Sequence, residues 1–168
     1  MQKKRKHPVI LTLLWVVFLV MVAGVVYLSF QDGREAKTLG KQFIEYIARF
    51  KYPEREATAQ EFDTLTYEVR QAGRVCAFFL IGILGTTAVH MTCKKSSWII
   101  KTIITAVVLV AIAYLTEKLK IYIPTRHYSY EEMMLSIAAV GVGFLLVSVV
   151  TLTVQALKSF FRLMTAVR

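Results

Sequence analysis

The chain has 168 residues, of which 56% are hydrophobic, and 21 Lys and Arg stand against 11 Asp and Glu for a formal net charge of +10. Its mean hydropathy of +0.53 lies well above ordinary soluble usage and excludes a conventional water-soluble globule. Two cysteines exclude a disulfide framework, and the three histidines share no ligand spacing with them, so neither a metal nor a cofactor is expected.

The first element is uncharged from His7 to Gln31 and is long enough to cross a bilayer, which predicts a span over about 8–30. Lys3, Lys4, Arg5 and Lys6 precede it. The apolar run is nevertheless long for a signal peptide, and no small-residue cleavage pattern follows, so it is expected to be retained.

The polar segment 31–73 comes next and keeps a helical period. Leu39, Phe43, Tyr46, Ile47 and Phe50 fall on one face, with Lys37, Lys41, Glu45 and Arg49 on the other, the pattern of a helix lying in the membrane interface. Lys51-Tyr52-Pro53 interrupts it. Thr58 and Glu61 then have capping-box spacing ahead of Phe62, Leu65 and Val69, so the helix carrying the second span is predicted to start well before the span itself.

That second span is expected over 74–93. Ser96 and Ser97 leave only a tight turn before the third, over 97–117, so the two are expected to pack as a hairpin. Trp98 and Lys101 suit the interfacial end of the third span. A fourth span follows over 133–157, where Met133 to Leu157 holds no charge. The expected fold is an all-α membrane protein: one domain over 1–168, four transmembrane helices, and an extracellular amphipathic helical segment between the first two. Gly82, Gly85, Gly141 and Gly143 are expected to allow close helix approach, and Cys76 and Cys93 to be packing residues too far apart to bridge.

Lys and Arg are retained on the cytoplasmic side during insertion. With the N-terminus inside, Lys3, Lys4, Arg5, Lys6, Lys94, Lys95, Lys101, Lys158, Arg162 and Arg168 are cytoplasmic, and no acidic residue joins them. Both termini are then inside, and every carboxylate is outside. The basic excess therefore reports insertion and gives no support to a nucleic-acid partner.

The polar residues at the outer span ends form three groups: Gln31 and Asp32 after the first span, Arg70 and Arg74 one turn apart before the second, and Glu117, Arg126 and Glu132 around the last connection. Their order resembles that of the VanZ-like family of bacterial membrane proteins. Leu28-Ser29-Phe30-Gln31-Asp32-Gly33 is similar to the first family motif, and Arg70 to Phe78 followed by Ile81-Gly82 has the spacing of the second. Arg74 and Ala77 replace that motif's His and Glu. Glu117, Pro124, Arg126 and Glu132 match the third.

The resemblance implies a multi-pass protein of the bacterial plasma membrane, associated with the cell envelope and with resistance to teicoplanin-type glycopeptide antibiotics. The arginine fork suits phosphate or carboxylate, so Gln31, Asp32, Arg70, Arg74, Glu117, Arg126 and Glu132 are expected to bind an anionic lipid head group or a wall-precursor group. The expected partners are thus membrane lipids. The alternative is a transferase or hydrolase acting on a lipid-linked phosphate, with Glu117 as general acid or base.

Overall fold

The computed structural model describes residues 8–30, 41–51, 58–93, 96–122 and 128–166, all in helices and their flanks. The helices are α1 (Pro8–Phe30), α2 (Lys41–Lys51), α3 (Ala59–Thr92), α4 (Trp98–Lys118), which continues as a 3-10 turn over Leu119–Tyr122, and α5 (Tyr130–Ala166). Four of them, α1, α3, α4 and α5, are long and apolar enough to cross a membrane. In length and composition these helices are those of a multi-pass membrane protein.

Helix starts follow local chemistry. Thr58 caps α3 in a full capping box: the amide of Glu61 donates to the Thr58 hydroxyl, and the Thr58 amide donates to the Glu61 carboxylate at 2.9 Å. The expected early start is thus found, and α3 runs 34 residues, about 50 Å, well beyond its apolar part. At α5, the Ser129 hydroxyl accepts from the Glu132 amide, and Glu131 and Glu132 lie in the first turn, where carboxylates favour the helix dipole. α5 has 37 residues and extends past the expected 157 to Ala166. Phe160, Phe161 and Met164 in that extension are exposed.

Along the apolar helices the hydroxyls of Thr86, Thr105, Thr116, Ser136 and Thr151 donate to the carbonyl one turn back, so these polar side chains need no partner on another helix. The core is built from Phe18, Phe78, Ile81, Leu109, Ala113, Ala139 and Val140. Outside it, aliphatic side chains such as Val20, Ile103, Val107 and Leu145 are exposed, as lipid-facing positions require.

The expected α3–α4 hairpin forms, but α3 packs most extensively on α5. Glycine decides this. A Cβ on Gly82 would collide with the Val140 carbonyl and one on Gly143 with the Phe79 carbonyl, so the two backbones meet directly. Gly85 receives the Phe18 ring and Leu109. Gly141, grouped with these from its sequence, has nothing within 4 Å and plays no part in the crossing.

α2 forms within the expected amphipathic segment and meets α3 through a second apolar pair. It buries Ile44 and Ala48 against Leu65, with Phe62 alongside, and leaves Tyr46 and Phe50 exposed at 72% and 86%. It packs on the projecting part of α3, because the pair Ile44 and Ala48, one turn apart, matches the α3 ridge. Leu39 lies outside the described residues.

Candidate functional site

Contacts between helices fix the relative heights of their residues. Trp15 Nε1 donates to Thr92 Oγ1 at 3.0 Å and Phe18 meets Gly85, so α1 runs antiparallel to α3. Counting on equally from both pairs brings Phe30, at the end of α1, level with the stretch 73–77 of α3. The Gly82–Gly143 crossing brings the start of α5 to the same height, and the Leu109–Gly85 contact does so for the end of α4. Three helix ends and the middle of α3 thus share one level, here termed the carboxylate end. Tyr27, Tyr114, Tyr122 and Tyr130 are exposed around it.

Four charged side chains meet at that level. Lys120 Nζ donates to Glu117 Oε1 at 2.7 Å and to Glu132 Oε2 at 3.0 Å. The Arg74 guanidinium reaches the same Glu132 oxygen at 2.5 Å. α3, the 3-10 turn, α4 and α5 each contribute one residue, and the quartet is formally neutral.

Its two halves differ in burial. The side chains of Lys120 and Glu117 are 2% and 3% exposed, whereas those of Arg74 and Glu132 are 18% and 22% exposed. Lys120 and Glu117 therefore form a desolvated pair, sustainable because each charge has a partner at hydrogen-bond distance. Arg74 and Glu132 form the accessible rim above it. Thr116 and Ser136, near Glu117 and Glu132 in sequence, are also buried, and each hydroxyl is bonded to its own helix.

Local structure explains how Lys120 enters. The buried stripe of α4 runs Thr105, Leu109, Ala113, Thr116 and Glu117, and its next position is Lys120, three residues after Glu117. The 3-10 turn carries it inward. Lys118 is directed elsewhere, its ammonium lying 5.8 Å and 5.5 Å from the ring centres of Tyr114 and Tyr128.

Of the residues expected at a site, the structure brings Arg74, Glu117 and Glu132 together. Arg70, one turn further along α3, is exposed and pairs with no carboxylate of the described residues. Gln31, Asp32 and Arg126 lie outside the described residues, as does any pairing of Arg126 with Glu132. Lys120 is the residue that the motif comparison passed over. The signal for it was present: it continues the buried stripe and stands at i+3 from Glu117.

The chain was compared with protein-family models, with curated proteins and with solved structures, and none matches.

Proposed function

We propose that this is a VanZ-like envelope protein of the bacterial plasma membrane, with both termini cytoplasmic, whose Arg70–Arg74–Glu132 rim binds an anionic head group at the outer surface. The observation that carries this reading is the accessible Arg74–Glu132 pair above a desolvated Lys120–Glu117 pair, at the height where α1 ends and exposed tyrosines gather. Charges at the edge of an apolar bundle need partners or a ligand, and Tyr favours the headgroup layer. Arg70 supplies a cation beside the neutral quartet. The matching chemistry is a phosphate or carboxylate held by guanidinium forks, carried by a membrane lipid or a wall precursor.

The binding role is preferred to the enzymatic one. Glu117 is 2% exposed and already accepts from Lys120, so a substrate proton would reach it only after both the rim and that bond opened.

Full-length protein in nanodiscs tests the proposal, with retained lipid counted by native mass spectrometry. Phosphatidylglycerol is expected to be retained over phosphatidylcholine, and Arg70→Gln with Arg74→Gln to abolish the preference. Competition by inorganic phosphate at millimolar concentration would identify a free anion as the guest instead. Equal retention of both lipids by wild type and the double variant would refute an anion site. A matched change in teicoplanin susceptibility between wild-type and double-variant cells is expected if the glycopeptide association extends to this chain.

A further inference from the structure

We infer that Glu132 is a resident counter-ion of the anion site, which a guest phosphate displaces from Arg74 while Lys120 keeps hold of it. The inference rests on the binding role proposed above and specifies how the site is regulated.

The quartet as it stands has no net charge to offer. Arg74 and Lys120 are matched by Glu117 and Glu132, and a carboxylate occupies the ground that an anionic guest needs. Binding at Arg74 therefore requires one carboxylate to move aside. Glu117 is unsuited to this, being buried and bonded to Lys120 at 2.7 Å. Glu132 is suited to it on three counts. Its side chain is 22% exposed, it stands in the first turn of α5 at the rim, and one of its oxygens is shared by two cations.

That shared oxygen makes exchange inexpensive. When Arg74 turns to a guest, Glu132 retains the Lys120 ammonium and is not left as an unpaired carboxylate in a poorly solvated place. Lys120 is held in turn by Glu117, so the buried pair stays intact while the rim pair opens. The guest takes over one of the two positive charges around Oε2, and Arg70 adds the cation that the quartet lacks. The consequence is contrary to simple loss of a binding residue: neutralising Glu132 strengthens anion retention.

The nanodisc measurement with phosphatidylglycerol distinguishes the possibilities. Glu132→Gln is expected to retain the lipid about fivefold or more tightly than wild type, the scale of a competitive coupling at one shared group. Arg74→Gln alone is expected to weaken retention, and combined with Glu132→Gln to abolish the gain. Glu132→Asp keeps the charge on a shorter side chain and is expected to fall between wild type and Glu132→Gln, and it serves if the amide variant folds poorly. Retention in Glu132→Gln equal to or weaker than wild type, with Arg74→Gln still defective, would overturn the exchange and leave the binding role standing. If Arg70→Gln and Arg74→Gln are both without effect, the binding role itself fails.

Discussion

Gly82 and Gly143 face each other at the crossing of α3 and α5, each standing where a Cβ would collide with backbone of the opposite helix. Because the obstructing atoms are carbonyls and amides, no side-chain rotation can relieve the collision. The crossing also sets the height of α5 against α3, and with it the meeting of Glu132 and Arg74.

Gly82→Ala and Gly143→Ala are accordingly each expected to destabilise the bundle by about 1–3 kcal/mol, as overpacking does, and to loosen the rim. Gly141→Ala, with nothing within 4 Å, is the internal control and should be close to neutral. Thermal unfolding in one detergent, measured for all three, checks this. Equal midpoints for Gly141→Ala and Gly82→Ala would contradict it.

Removing Lys120 strips the buried Glu117 of its cation. Lys120→Met is expected to cost about 3–5 kcal/mol, because the carboxylate remains desolvated without a partner. Adding Glu117→Gln should recover part of that loss. Unfolding free energies of the two singles and the double give the coupling directly, and strict additivity would mean that the pair contributes nothing to packing.

The Trp15–Thr92 hydrogen bond ties α1 to the end of α3 at 3.0 Å. Trp15→Phe keeps a ring against Phe18 but deletes the donor, and is expected to lower stability by about 0.6 kcal/mol, the average for interhelical bonds in lipid. A loss above about 2 kcal/mol in the same unfolding measurement would place the effect in ring packing and not in the bond.

Thr58→Ala removes one half of the capping box. The expected cost is about 1 kcal/mol, confined to the projecting turn of α3. Hydrogen exchange should quicken over 59–64 and remain unchanged over the Gly82 region. Uniform acceleration along α3 would show that the cap supports the whole helix.

Orientation is open to a direct test through Cys93, which is exposed at the turn between α3 and α4. In a Cys76→Ser chain, a membrane-impermeant maleimide applied to intact cells should label Cys93 only after permeabilisation. Labelling of intact cells would invert the proposed topology and put the carboxylate end inside.

Much of this architecture is legible in the residues alone, wherever the cause is local. Uncharged runs predict helices across the hydrocarbon because length and composition suffice, and Thr58 with Glu61 announces a helix start within four residues. On α2 several apolar residues spread around the helix, so the sequence alone does not say which of them meets α3. Only the ridge presented by Leu65 and Phe62 selects Ile44 and Ala48 over Tyr46 and Phe50. Gly141 was grouped with Gly143 for the same reason: neighbours in sequence point to different sides of a helix.

By itself, then, the sequence determined that four long apolar helices form and that all carboxylates fall outside the apolar runs, since hydropathy and charge are properties of the residues in order. Tertiary structure alone decided which charges meet. Arg74 and Glu132 are far apart in the chain, and although Lys120 continues the buried stripe of α4, nothing local says that it also reaches Glu132 on another helix. The glycine crossing and the 3-10 turn set the heights and directions that bring them to a single carboxylate oxygen, because which charges come within reach of one another is fixed by how the helices pack and not by their order in the chain.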